Sequence, residues 1–215
     1  VVREARRRRA QQLKCHPLEL VFTSGGSESN NLAIKGCLTD LLARKTNRDK
    51  VVLGGIEHPS VLKQKSQIEA MGFSVETIPV NREGQYDLEL FRQRVDDRVA
   101  LVSVMLANNE LGVIAPLQSM IEHSHSQGAY FHSDMVQGLG KPPLDFERYP
   151  VDLASFSSHK VYAMKGAGLV YIKKGTPLLG LTAGGSQERG RRAGTENLPA
   201  IASFAKMVET IDPQK

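Results

Sequence analysis

Ser157-Ser158-His159-Lys160 ends an apolar, strand-like run from Val151 to Phe156, with Lys165-Gly166-Ala167-Gly168 just behind it. A lysine is thereby set on a short polar loop between hydroxyls, an imidazole and a glycine-containing stretch. An amine held in this way forms a Schiff base with a carbonyl, most usefully the aldehyde of pyridoxal 5'-phosphate (PLP). The neighbouring hydroxyls and imidazole then offer hydrogen bonds to a phosphate. Taken alone, such a string is also an ordinary solvated loop. The other segments of the chain decide between the two.

Thr23-Ser24-Gly25-Gly26-Ser27-Glu28-Ser29-Asn30-Asn31 lies between strand-like Leu18–Phe22 and a helical pattern through Leu32, Ala33, Ile34, Cys37, Leu38 and Leu41. A Gly-Gly turn feeding a helix start presents backbone N–H groups and a favourable dipole to an anion. The alternative is a plain helix start with Ser27 as its N-cap. His58 follows apolar Val51-Val52-Leu53, and Asn109 follows the run from Ala100 to Leu106. Residues at strand C-terminal ends of an α/β protein face the usual ligand crevice. The simpler readings are a structural histidine and an Asn-rich turn. Asp134 closes the strand begun by Ala129-Tyr130-Phe131. An acid there is often a helix cap or metal ligand; beside a pyridine cofactor it holds the ring nitrogen protonated.

Together these segments resemble the cysteine desulfurase and selenocysteine lyase family, the NifS-like, class V aminotransferase group of fold-type I PLP enzymes. The matching motifs are Ser24 to Asn31, Glu57-His58, Asn108-Asn109-Glu110-Leu111-Gly112, His132 to Gln137 and Ser157 to Lys160. Gly184-Gly185-Ser186-Gln187-Glu188-Arg189 and Arg192-Ala193-Gly194-Thr195-Glu196-Asn197 extend the likeness, which runs from about Leu20 to Asn197 in the family's order.

The resemblance implies a role for each matching residue. Lys160 looks like the Schiff-base lysine and proton shuttle at the substrate Cα. His58 looks like the imidazole stacked on the cofactor ring and a candidate acid–base group. Asp134 resembles the partner of the ring nitrogen, Gln137 the donor to the phenolic oxygen, and Asn109 a residue near that oxygen and the substrate carboxylate. Gly26, Ser27, Ser157 and His159 resemble the phosphate cup. Thr195 resembles a residue reaching the phosphate in a neighbouring subunit, which implies a homodimer with shared sites.

Three positions depart from the family pattern. Met135 replaces the usual Ala and threatens to crowd the cofactor. Tyr162-Ala163-Met164-Lys165-Gly166 lacks a Gly-Pro pair, which alters backbone freedom. Ser27 stands where Thr is common. Family members are also longer, with an N-terminal segment and a C-terminal small domain. That small domain carries the nucleophilic cysteine and a carboxylate-binding arginine. Residues 1–215 thus read as the PLP-binding large domain. Cys15 and Cys37 are its two cysteines, and by position both read as structural.

Composition fits one soluble domain, with 40% hydrophobic residues and no run long enough to span a bilayer. Two cysteines without paired spacing fit a reducing compartment, hence a cytoplasmic setting, with an organellar address left open. A net charge of +5 owes much to Arg6-Arg7-Arg8-Arg9, read as the charged face of an N-terminal helix rather than a nucleic-acid site. Arg189, Arg191 and Arg192 read instead as positive charge favouring a phosphorylated cofactor near Thr195.

Strand-like runs near 18–23, 50–54, 73–80, 99–106, 129–133, 151–156 and 168–172 alternate with helical patterns near 27–44, 60–71, 87–95, 116–127 and 196–211. This predicts an α/β fold, a mostly parallel sheet sandwiched by helices. In the family's terms it is an aspartate aminotransferase-like large domain. The absence of a helix between the last two strands predicts one antiparallel excursion. The expected activity is PLP-dependent desulfuration of L-cysteine to L-alanine, passing sulfur to an enzyme cysteine and on to an acceptor protein for iron–sulfur or thio-cofactor synthesis. L-selenocysteine lyase, another class V enzyme and a non-catalytic scaffold are the alternatives.

Overall fold

In the computed structural model, which describes residues 1–141 and 144–210, all seven apolar runs form strands of one sheet. In chain order the elements are α1 (Val2–Leu13), β1 (Leu20–Thr23), α2 (Gly26–Ala43), β2 (Lys50–Gly54), α3 (Pro59–Leu62), α4 (Lys65–Ala70) and β3 (Ser74–Ile78). They continue with α5 (Leu88–Arg94), β4 (Val99–Ser103), α6 (Leu117–Ser126), β5 (Tyr130–Asp134), β6 (Leu153–Ser157), β7 (Gly168–Ile172) and α7 (Leu198–Thr210). The spatial order is β1-β7-β6-β5-β4-β2-β3. Strands β2 to β6 pair in parallel, whereas β7 runs antiparallel to both β6 and β1. That is the excursion expected from the helix-free link after β6.

Helices cover both faces, so the inner strands are buried nearly throughout, and of the polar residues they carry, Ser103, His132 and Ser155 hydrogen-bond one another across the sheet. Val51 and Leu53 point to the α2 side with Ile34, Cys37, Leu38 and Ile68. Val52, between them, points to the opposite side, where Val102, Phe131 and Phe156 meet Leu13, Phe91, Met120 and Phe204. The sheet is thereby sandwiched, and its parallel strands all send their C-terminal ends to one edge.

Four expectations are corrected. Helix α2 begins at Gly26 with Gly25 in the N-cap position, and no side chain caps it, so Ser27 is not the cap. The pattern over 60–71 forms two helices. Gln64 Nε2 occupies the Ser60 carbonyl at 2.6 Å, and the Gln64 N–H turns to Val61 O at 3.0 Å, which breaks the α-helical ladder. The arginine run is a charged face only at Arg7 and Arg8, which are exposed and pair with Glu4, while Arg6 and Arg9 turn inward. Arg6 pairs with Glu188 at 2.6 Å, and Arg9 is buried over Phe204, donating to Ala205 O. Met135 is fully buried in the core with Leu106 and Leu139, away from any ligand space. The end of the pattern at 211 lies outside the described residues.

Candidate active site

The strand ends converge on a cavity of about 190 Å³. Gly26 and Ser27 reach it from the start of α2, His58 from the loop after β2, and Asn109 from the turn after β4. Asp134 arrives at the end of β5, Gln137 just after it, and Ser157, His159 and Lys160 at the end of β6. Nine of the ten residues singled out in the sequence thus line one space. Thr195 does not; it lines a second hollow with Ser24, Gly166, Arg192 and Asn197.

Asp134 is buried at the floor of the cavity. Its Oδ2 accepts Asn30 Nδ2 at 2.7 Å, and its Oδ1 accepts the Val136 N–H at 2.9 Å. Burial raises its pKa, partly opposed by those two donors and by the field of His58. No cationic side chain among the described residues pairs with it. A cationic N–H entering the cavity would complete its hydrogen bonding.

Ser157 Oγ lies 2.9 Å from His159 Nδ1. Burial and the charges of Lys160 and Lys165 lower the His159 pKa, which favours a neutral, hydrogen-bonding ring. The exposed Lys160 ammonium makes no hydrogen bond or ion pair with any described residue. Lys141 Nζ donates to Gln137 Oε1. Since an ammonium only donates, the Gln137 NH2 group remains for another acceptor.

Other polar groups are already committed. Arg192 pairs with Glu28 at 2.8 Å, while Arg189 and Arg191 donate to the carbonyls of Leu18 and Leu20 at 2.8 to 3.2 Å. Arg192 lines the same hollow as Thr195, with its charge paired to Glu28. Burial pushes the Cys15 thiol up to about 12, and it raises the fully buried Cys37 as well. Neither sulfur lines the cavity.

Asn30, Ser60, Met105 and Val136 also line the cavity, although sequence reasoning assigned them no role. Asn30 stands four residues after Gly26 on α2, a spacing that places both on one face and was a readable signal. Met105 and Val136 follow strand ends. Ser60 carried no such mark.

The class-V aminotransferase family model matches residues 1–214. A cysteine desulfurase of Bradyrhizobium diazoefficiens is 44% identical over 209 residues, 97% of this chain and 52% of the relative. The cysteine desulfurase IscS of Dictyoglomus turgidum is 40% identical over 208 residues, again 97% and 52%. Among solved structures, a NifS-like protein has a TM-score of 0.92 at 37% identity, covering 98% of this chain and 57% of that one. A structure described as SspA in complex with cysteine has a TM-score of 0.90 at 33% identity, covering 97% and 60%. The chain spans about half the length of the curated relatives it matches. With the motifs, the sheet and these matches in agreement, the chain belongs to the class-V aminotransferase family.

Proposed function

We propose that this chain is the PLP-binding large domain of a cysteine desulfurase, which converts L-cysteine to L-alanine and passes the sulfur to an enzyme thiol. The observation that carries the reading is Asp134: a buried carboxylate, without a cationic partner, in the same cavity as the unpaired amine of Lys160. That pair fits a pyridinium aldehyde better than a metal or a simple anion. Bound PLP supplies an electron sink for the Cα of an amino acid.

The residues of this chain would do the rest. Lys160 would hold the aldehyde carbon and move a proton at the substrate Cα. Asp134 would keep the ring nitrogen protonated. His58 would face the ring, and Gln137 and Asn109 would donate to its oxygen. Gly26, Ser27, Ser157 and His159 hold the phosphate. Thr195, in its separate hollow, serves the site of a second copy in a homodimer. The substrate sulfur passes to a thiolate that neither Cys15 nor Cys37 is placed to provide. From there it goes to an acceptor protein, in the cytoplasm. The relatives are named as cysteine desulfurases, which favours L-cysteine over L-selenocysteine. No helix among the described residues is long and apolar enough to cross a membrane.

Titration of the purified chain with PLP tests the reading. An absorbance band at the blue edge of the visible, fixed by borohydride and lost in Lys160→Ala, is expected. Absence of the band at saturating PLP with folded protein would refute it.

A further inference from the structure

His58 occupies the N-cap of α3, and its Nδ1 accepts the Ser60 backbone N–H at 3.1 Å. A backbone amide only donates, so Nδ1 is the ring nitrogen without a proton. The Ser60 hydroxyl lies 2.7 Å from the same nitrogen. Asn30 Nδ2 donates to that hydroxyl at 2.8 Å and to Asp134 Oδ2 at 2.7 Å. An amide NH2 has two protons and no acceptor, which fixes the direction of both bonds. The serine oxygen is thus occupied as an acceptor, and its own proton turns to Nδ1. Such a chain polarises the serine O–H and strengthens the last bond.

We infer that Ser60, oriented through Asn30, is a positioning residue that locks the His58 imidazole in the tautomer with its proton on Nε2. The nitrogen left for a ligand is then a donor. For the neutral ring to accept a proton it would have to do so at Nδ1, against the Ser60 N–H and at the loss of the α3 cap. His58 therefore offers a flat face and one fixed N–H, so in this arrangement its free nitrogen donates to a ligand rather than accepting from it. Proton movement at the substrate Cα falls to Lys160. That last step rests on the proposed PLP reading; the tautomer does not.

Nitrogen NMR of the chain labelled in histidine tests the tautomer without PLP, since each ring nitrogen reports whether it is protonated. In its neutral form, wild-type His58 is expected as a single Nε2–H species. Ser60→Ala should raise the Nδ1–H species several-fold, and Ser60→Thr, which keeps the hydroxyl, should restore the single form. A wild-type ring protonated at Nδ1 would overturn the inference, as would a Ser60→Ala spectrum matching wild type. PLP absorbance on the same samples reports on the cofactor separately. A missing band beside an intact Nε2–H signature sinks the PLP reading and leaves the tautomer standing.

Discussion

The Glu57 carboxyl accepts the Met105 backbone N–H at 2.5 Å and so ties the His58 loop to the strand end that leads to Asn109. Asn108 doubles the tie, donating to Ile56 O at 2.8 Å. Two walls of the cavity are thereby fixed to each other from behind. Glu57 is buried, and its second oxygen has no hydrogen bond within the described residues. Burial holds its pKa well above 4.5; the Met105 N–H opposes the shift and the charge of Asp134 adds to it.

Glu57→Gln keeps the shape and acceptor of the neutral acid. Near pH 4, where both forms are uncharged, stability should change by less than about 1 kcal/mol. As pH rises past 4.5, unfolded Glu57 releases its proton while the folded form holds it, so the wild type loses stability and the variant does not. Urea unfolding across about pH 4 to 8 checks this. Parallel profiles for the two proteins would show that Glu57 ionises freely in the fold.

His132 bridges the sheet, with Nδ1 2.8 Å from Ser103 Oγ and Nε2 3.0 Å from Ser155 Oγ. Burial lowers its pKa to about 3. The stability it contributes is complete above pH 6.5 and falls as the pH drops toward 3, because the unfolded ring takes a proton first. This residue should account for a slope of about 1.4 kcal/mol per pH unit through that window. Histidine NMR titration gives the direct check: a His132 ring that protonates near pH 6.5 in the folded protein contradicts the assignment.

Glu188 adopts a left-handed backbone conformation, φ 48°, as does Arg189, φ 62°. Its carboxylate, 1% exposed, grips Arg6 through both oxygens and accepts the Phe22 N–H at 3.0 Å. Breaking a buried pair leaves an uncompensated charge, so Glu188→Gln should cost about 3 to 5 kcal/mol. Glu188→Gly relieves the backbone yet loses the same pair, and it should remain less stable than wild type. A glycine variant as stable as wild type would mean that strain, rather than the ion pair, dominates here.

Asp134→Asn removes the charge that would hold a ring nitrogen protonated while keeping the side-chain shape. In the cysteine desulfurase proposed to carry this chain, alanine release from L-cysteine should fall by about 10²- to 10³-fold. PLP affinity should fall less, because Gly26, Ser27, Ser157 and His159, the proposed phosphate residues, are untouched. Steady-state turnover and PLP titration together check the split. Wild-type turnover would remove Asp134 from its proposed role.

Strand positions were legible because β-branched and apolar runs repeat between turn residues, and the strand ends then pointed to His58, Asn109 and Asp134. The links beneath them were less visible. Gln64 breaks a helix with its own side chain, which no periodicity displays. Ser60 matters through where α3 turns it, and a serine two residues past a histidine has no distinctive spacing. The arginines misled for a related reason. Arg192 finds Glu28 and Arg6 finds Glu188 only after distant segments meet, so their pairings cannot be read along the chain.

The reversed strand β7 also fixes an order of events. Edge strand β1 has one neighbour, with Leu20 paired to Tyr171 and Thr23 to Gly168. A chain emerging from the ribosome makes β1 and the Gly25-Gly26 turn early, yet β1 has no strand to pair with until β7 is complete. Such non-local pairing forms slowly and leaves an open edge in the meantime. The Gly26 end of the cavity is therefore the last part of the sheet to set, and a nascent chain stalled before Gly168 would carry the lysine loop beside an unfinished wall.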